Sequence, residues 1–315
     1  MVYKAGVLGP KDVLAFALAS KEVYSKVLGE VGEENAFDVA QHRALAGVLF
    51  CAEKGWWDAV LLAVKRGYGD VDDSSFDLAC RAGREDVVAG MMPWVSSVQG
   101  LHQGLFTACK HGALDVVRLF LGDDRIDPGA KDNNAIRWAA GQGHVEIVCV
   151  LLEDDRVDPG AKDDFALRWA AEKGHPHVVR TLLEDDRVNP AAQDDAAIRF
   201  AAPNGGVDVV RLLLGDDRIN PAARNDVALR WAAQKGKVQV VRLLLEDDRV
   251  HPGALDDAAL RTAAENGHTE IVRVLLGDDR VNPAAQDNEA LAAAQQNGHT
   301  EIVELLTDAI SSCTS

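Results

Sequence analysis

Two short helical patterns of apolar residues alternate along most of the chain, and the pair repeats every 31 residues. In the unit 132–162, the apolar face of the first helix consists of Ile136, Ala139 and Ala140. The i, i+3, i+4 pattern of the second helix consists of Val145, Ile147, Val148, Leu151 and Leu152. Neither helix is long enough to be stable alone in water, so neighbouring units must stabilise each other by stacking.

Turn signals punctuate each unit at constant positions. Gly143 is predicted to end the first helix in a left-handed conformation, and Pro159 to prevent any helix from continuing after the second one. Val157 is the one apolar anchor of the loop between the second helix and the next unit. The tripeptide Asp-Asp-Arg opens this loop and ends at Arg125, Arg156, Arg187, Arg218, Arg249 and Arg280.

A short polar residue precedes each first helix and is predicted to cap it. Such side chains accept hydrogen bonds from the backbone N–H groups that have no partner in the first turn. The candidates are Asn133, Asp164, Asp195, Asp226, Asp257 and Asn288. Each unit is therefore predicted to run as helix, tight turn, helix and long loop.

A fixed period of this length is typical of a solenoid of stacked units, whose extended surface favours binding over catalysis. Similar patterns around Gly55 and Gly83 extend the array upstream, and a pattern near Leu306 closes it. We therefore predict an all-α solenoid of about nine helix-turn-helix units over residues 44–310. A helical N-terminal segment is expected over residues 1–43, and a disordered tail over residues 311–315.

Segments such as AAGQGHVEIVCVLLEDDRVDP and AAENGHTEIVRVLLGDDRVNP resemble ankyrin repeats in their Ala-Ala-x-x-Gly-His and Val-Val-x-Leu-Leu patterns. The resemblance covers most of the chain and implies a two-layer helical array that binds proteins. The period is 31 residues, whereas ankyrin repeats usually have 33. The Thr-Pro-Leu-His of the family, which ties neighbouring repeats by hydrogen bonds, is absent, and Asn134-Ala135-Ile136-Arg137 stands in its place.

An arginine recurs in every central first helix and is expected to rebuild that network, because its planar fork can bond carbonyls or a loop aspartate of the adjacent unit. The alternative is an anion- or phosphopeptide-binding role. This series consists of Arg137, Arg168, Arg199, Arg230 and Arg261. A second series on the second helices is predicted to form a solvated face and consists of Arg118, Arg180, Arg211, Arg242 and Arg273.

Residues 9–30 form a separate amphipathic segment that resembles the second half of an F-box. An F-box links a substrate-binding domain to a cullin-type ubiquitin ligase, but the leading Leu-Pro part of the motif is absent here. The simpler interpretation is a helical cap that shields the first repeat. The two interpretations differ in whether the apolar stripe of the segment packs on the array or stays exposed.

The net charge of −17 disfavours nucleic acid and anionic lipid as partners. Cys80 and Cys109 fall where later units have alanine, so we expect small core residues in a reducing compartment. Neither a run of transmembrane length nor a secretory signal is visible. We therefore expect a monomeric protein of the cytoplasm, or of the nucleus, with a protein partner.

Motifs typical of enzymes are not found in the sequence, and no cofactor is expected. His175 and His177 flank Pro176 at the turn between two helices, and the repeated position of His175 predicts a turn residue over a metal ligand. The paired loop carboxylates recur too regularly for acid–base catalysis and lack the dense spacing of a dedicated calcium site.

An aromatic series follows the first-helix arginines by one residue and fades to Thr262 and Ala293 at the C-terminal end. It consists of Trp138, Trp169, Phe200 and Trp231. The ankyrin pattern usually has a buried leucine at this position, so a core role is favoured. The alternative is an aromatic strip on the concave face that binds apolar anchors of a partner.

Partner contacts are expected at positions that vary between units, namely the loop tips and the exposed ends of the first helices. Drift on a solvated surface would give the same variation. The candidates are Lys131, Gln142, Lys162, Glu172, Lys173, Gln193, Asn204, Arg224, Gln234, Lys235, Leu255, Glu265 and Asn266. The leading hypothesis is a non-catalytic protein-interaction scaffold, and the alternative is a substrate receptor of a cullin-type ubiquitin ligase.

Pro203 departs from its column near the end of a first helix and is followed by Gly205-Gly206. Proline lacks a backbone donor, so it is expected to shorten this helix. A soft joint is therefore predicted at this repeat.

Overall fold

A computed structural model describes residues 73–204 and 206–313, together with Ala52, Trp57 and Val60. The expected N-terminal segment 1–43, its F-box-like stretch and most of the first expected unit lie outside the described residues. The described part contains 16 α-helices in eight successive pairs, one 3₁₀ helix over Met92–Trp94, and no strand. The prediction of an all-α array of helix-turn-helix units is confirmed.

The first four pairs occupy residues 73–183. They are α1 (Asp73–Arg81) with α2 (Glu85–Met91), α3 (Val98–His111) with α4 (Leu114–Leu121), α5 (Ala130–Gln142) with α6 (Val145–Leu152), and α7 (Ala161–Lys173) with α8 (Pro176–Leu183).

The other four pairs occupy residues 192–313. They are α9 (Ala192–Asn204) with α10 (Val207–Leu214), α11 (Ala223–Gln234) with α12 (Val238–Leu245), α13 (Ala254–Glu265) with α14 (Thr269–Leu276), and α15 (Ala285–Gln296) with α16 (Thr300–Cys313). The prediction of a disordered tail is wrong for residues 311–313, because α16 includes them.

The chain divides between Ala135 and Ile136 into two compact units. In the first unit α1 packs on α3 and α2 packs on α4. Its core contains Phe76 and Phe120, whose ring centroids lie 6.0 Å apart in an edge-to-face arrangement. Gly104 lies against both rings, and a Cβ atom there would come within 2.7 Å of Phe76. Glycine is therefore required at this position by packing.

The second unit consists of two helical layers. The first helices α7, α9, α11, α13 and α15 pack on one another in chain order, and the second helices α8, α10, α12, α14 and α16 do the same. The buried residues of the first helices are largely alanines, such as Ala170 and Ala171. Those of the second helices are largely β-branched residues and leucine, such as Val179 and Leu182. Small side chains in one layer and larger ones in the other fill the interior closely.

The turns between paired helices follow the sequence prediction. Gly174 adopts a left-handed φ of 77° at the end of α7, and its N–H donates to the carbonyls of Ala170 and Ala171. The loop anchor Val157 is buried. In the described part of the chain no helix combines the length and the apolar character needed to cross a bilayer.

Candidate partner-binding face

A three-residue left-handed turn lies at the start of each first helix from α5 onward, inside the helix bounds given above, and the regular right-handed helix begins after it. All eighteen residues have φ between 50° and 67°, a region that non-glycine residues enter at a cost. The turns comprise residues 131–133, 162–164, 193–195, 224–226, 255–257 and 286–288. Their second and third positions are Asp or Asn in every unit, and these residues tolerate left-handed backbone better than others. That composition was the signal from which the turn could have been predicted.

Three first-helix arginines bind the carbonyl groups of these turns. The Arg168 guanidinium donates to the carbonyls of Asp163 and Lys162, at 2.8 and 2.9 Å. Arg199 and Arg230 repeat the arrangement in the next two units. The bonds stay inside each repeat, so the expectation that this series ties adjacent units is wrong for these three. It holds for Arg261, which forms a 2.8 Å ion pair across the next repeat boundary.

The last residue of each turn ties neighbouring repeats. The buried Asp164 carboxylate accepts a hydrogen bond from the backbone N–H of Asn189, 2.8 Å away and 25 residues later. Asp195, Asp226 and Asp257 make the same bond to the next loop. The cap prediction is wrong for these four residues. The bond replaces part of the inter-repeat network that the missing Thr-Pro-Leu-His would supply.

Burial determines the protonation behaviour of these carboxyl groups. Desolvation raises the pKa of Asp164 to about 6, although the N–H of Asn189 acts in the opposite direction. Desolvation also raises the pKa of Asp195, Asp226 and Asp257. Burying these carboxyl groups in their charged form therefore costs folding free energy, because a buried carboxylate loses its hydration.

The arginine of Asp-Asp-Arg is the second inter-repeat tie. Arg249 binds Asp247 through two parallel bonds of 2.9 and 2.7 Å. It also donates to the carbonyls of Leu214 and Ile219 in the preceding unit, both at 3.0 Å. Leu214 ends α10, so the guanidinium satisfies a carbonyl that has no partner inside that helix. The same four bonds recur at Arg187, Arg218 and Arg280.

Histidines at the turn between paired helices form the third tie. The Nε2 atoms of His175, His268 and His299 lie 3.0–3.1 Å from a first-helix carbonyl of the preceding unit. These histidines are turn residues, as predicted, with an added structural role. Gly206 and Lys237 occupy the same position in two consecutive units, so the histidine tie is lacking at two joints within the described residues.

The expectation that Pro203 shortens its helix is wrong. Helix α9 includes Pro203 and ends at Asn204, the position that corresponds to Lys173 at the end of α7. The proline therefore does not shorten its helix, because only the last turn loses a backbone donor. The soft joint itself stays a prediction, now supported by the two positions without histidine.

Replacing Lys237 with histidine should stabilise the array by about 1 kcal/mol, since the new ring would donate to the carbonyl of Pro203. Lys237 already has φ −87° and ψ 69°, nearly the values of His268. Urea unfolding checks the stability, and hydrogen exchange of α9 and α11 should slow at the same time. An unchanged exchange rate with the histidine in place would argue against a soft joint here.

The aromatic series is half-buried at all four positions, so these rings pack partly in the interior and are not as fully buried as the leucine of the family pattern. Trp138 and Trp169 meet edge to face with centroids 4.6 Å apart, and Phe165 joins them at 5.5 Å from Trp169. Phe200 and Trp231 stack at 6.1 Å. Each of the four rings thus packs against a neighbouring ring on one side. The remaining part of each ring is accessible to solvent on the first-helix layer.

All thirteen candidate contact residues are exposed. They lie on the left-handed turns or at the ends of first helices. Some already have partners across a repeat boundary, as in the 2.7 Å contacts of Gln193 with Asp163 and of Arg224 with Asp194. Within the second unit, we call the surface formed by the turns, the first-helix arginines, the aromatic series and the helix ends the first-helix face. Partner contact by these residues stays a prediction.

The second helices present a different surface. Arg180, Arg211, Arg242 and Arg273 are exposed, as predicted for a solvated face. Arg273 forms a 2.5 Å ion pair with Glu301, and Arg242 pairs with Glu270. Such exposed pairs contribute little to stability.

Among the described residues, no cluster of three or more His, Cys, Asp or Glu is arranged to hold a metal ion. Cys80 and Cys109 are buried, as expected, and burial raises the pKa of both thiols. Cys149 differs, because it is exposed on α6.

A comparison with family models matches the chain to ankyrin repeats (3 copies) over residues 77–163, 105–194, 198–287 and 229–314. These ranges cover well over half of the 315 residues. A search of curated proteins found no match.

Proposed function

The chain belongs to the ankyrin-repeat family, and from that premise we propose that it is a non-catalytic scaffold that binds a protein partner through its first-helix face. Ankyrin repeats generally mediate protein–protein interaction, which makes binding the expected activity. We further propose that the protein acts as a monomer inside the cell, in the cytoplasm or nucleus. Neither a cofactor nor a metal is needed for this role.

One observation supports the placement on the first-helix face. Residues that repeat along the array are used in stacking: the arginine of Asp-Asp-Arg, the buried aspartate of four turns and the turn histidine of three units all bond neighbouring repeats. The residues that change from unit to unit are exposed, and they lie together at the turns and helix ends. Exposed polar positions carry specificity when the scaffold beneath them is constant.

Position-specific crosslinking tests this placement. A photoreactive amino acid is introduced at Lys173 or Gln234 on the first-helix face, and at Arg180 or Gln239 on the second helices as matched controls. All four positions are exposed. In cell lysate the same partner should crosslink from the first two positions and not from the controls. Crosslinking of that partner only from the second helices would overturn the proposed face.

A ligase receptor is the second candidate function, and a feature of residues 9–30 favours it. Asp12, Leu14, Ala15, Ser20 and Lys21 follow the second half of an F-box pattern. The family match begins at residue 77 and leaves this stretch unassigned. Affinity purification of the full chain and of a form lacking residues 1–40 separates the two functions. Cullin-ligase subunits that co-purify with the full chain and are lost on truncation would identify a receptor.

A further inference from the structure

The first-helix face is basic in the middle of an acidic protein. Between residues 162 and 235 its exposed or half-buried charged side chains are three acidic ones, Asp163, Glu172 and Asp194, and six basic ones. The basic side chains are Lys162, Arg168, Lys173, Arg224, Arg230 and Lys235. Four further charged residues of the face are buried, namely Asp164, Asp195, Asp226 and Arg199. The whole chain has a net charge of −17, so this local excess of positive charge runs against the composition. A surface of this kind attracts acidic groups at close range.

The hydrogen bonds of the central arginines of this face, Arg168, Arg199 and Arg230, go to backbone carbonyls and not to carboxylates. Backbone carbonyls carry no net charge. In the described ranges 73–204 and 206–313, none of these three guanidiniums lies within ion-pair distance of a carboxylate. Arg249 and Arg261 differ, since each pairs with a carboxylate.

The burial of these arginines also favours an added negative charge nearby. Desolvation lowers the pKa of Arg199 and the nearby Arg224 lowers it further, whereas Asp194 and Asp195 act in the opposite direction. Desolvation also lowers the pKa of Arg230, and Asp226 opposes that shift. Their positive charges therefore lie in an environment that an added carboxylate would stabilise.

The aromatic series coincides with these charges. Trp169, Phe200 and Trp231 each follow one of the three arginines, and all are half-buried. In the next unit the arginine is paired and the aromatic position is Thr262. The arginines without an ion pair and the partly exposed rings thus end at the same repeat. Aromatic anchors beside arginines are typical of surfaces that bind peptides.

We propose that the first-helix face of α7, α9 and α11 binds an acidic peptide segment that also carries apolar side chains. Its carboxylates would meet Lys173, Lys235 and the half-buried Arg168 and Arg230. Its apolar side chains would contact Trp169, Phe200 and Trp231. The proposal rests on the proposed function and adds the chemistry of the partner. Single-stranded nucleic acid fits less well, because exposed Asp186, Asp217 and Asp248 in the loops of the same repeats repel a long polyanion.

Selection from a phage library of random twelve-residue peptides against the full chain tests the chemistry. Enriched peptides should carry net negative charge together with Leu, Phe or Trp. Their affinities are then measured by fluorescence anisotropy for two charge-reversed variants. K173E/K235E changes the first-helix face, and R180E/R211E changes the second helices by the same charge. All four residues are exposed, so both variants should fold.

We expect K173E/K235E to weaken the binding of enriched peptides about tenfold or more, and R180E/R211E to change it less than about twofold. Added salt should weaken binding to the native chain. Enriched peptides without net negative charge, or no enrichment, would overturn the acidic specificity. The proposed function would survive that result if crosslinking still mapped to the first-helix face. Competition by a fifteen-nucleotide thymidine strand would identify a nucleic-acid surface and overturn the proposal.

Discussion

Replacing Arg249 with alanine should lower the free energy of unfolding by about 2 kcal/mol. The substitution removes two bonds to Asp247 and two bonds to carbonyls of the preceding unit. Its side chain is 39% exposed, so water offsets part of each lost bond. The loss still weakens a repeat interface directly, and interface terms carry most of the stability of a stacked array. Urea denaturation followed by circular dichroism measures the change.

Two further variants separate this role from a general effect of charge. Arg249→Lys should lose most of the same stability, because an ammonium group cannot reach Asp247 and both carbonyls as a planar fork does. Arg211→Ala removes an exposed arginine from a second helix and should change stability by less than about 0.5 kcal/mol. Equal effects of Arg211→Ala and Arg249→Ala would contradict the inter-repeat tie.

Much of the fold could be predicted because its signals are local. The 31-residue period, the glycine between paired helices and the buried Val157 depend on backbone geometry and apolar spacing, which a sequence displays directly. Gly174 adopts the left-handed conformation that its position predicts.

The buried aspartates show where local reasoning failed. A short polar residue before a helix is equally suited to capping that helix and to a left-handed turn, since both use a compact side chain near the backbone. The partner of Asp164 lies 25 residues away, at the backbone of Asn189. Only the stacking of two repeats brings these groups together, so a pattern within one repeat could not distinguish the roles.

The binding face could be predicted only in part, for a similar reason. Exposure of the thirteen candidate residues follows from their variation between units. The half-burial of Trp169 depends on its size, since an indole is too large to be fully buried where the family has leucine. The neutral partners of Arg168 depend on the left-handed turn, which helical periodicity does not reveal. The charge of the face therefore became apparent only with the structure.

Asp164→Asn should make the protein more stable than the native chain at pH 8, by about 1–3 kcal/mol. The amide oxygen can still accept the N–H of Asn189, and the cost of burying a charge disappears. The pKa of Asp164 is about 6 in the folded chain, against an ordinary value of 3.8. Asp158 and Asp163 reinforce the shift caused by burial, whereas Arg168 opposes it.

The pH dependence gives this prediction its sign. Because the folded chain binds this proton more tightly than the unfolded chain, the native protein loses stability as the pH rises from about 4 to about 6. The advantage of Asp164→Asn should therefore vanish near pH 4 and reach its full size above pH 6. Urea unfolding of both proteins across this pH range measures the difference between their free energies of unfolding. The contributions of the other titrating groups are the same in both proteins and cancel in this difference.

Asp185→Asn provides the matched control with the opposite sign. Hydrogen bonds from Arg187 lower the pKa of Asp185, so its carboxylate stabilises the folded chain above pH 4 and loses that contribution as the pH falls through its lowered folded value. This variant should be less stable than the native chain at pH 8, and the deficit should shrink in acid. The stability difference between variant and native chain should therefore change with pH in opposite directions for Asp164→Asn and Asp185→Asn. That result would show that burial determines the pKa of Asp164 and that pairing with Arg187 determines the pKa of Asp185. Parallel slopes would contradict both assignments.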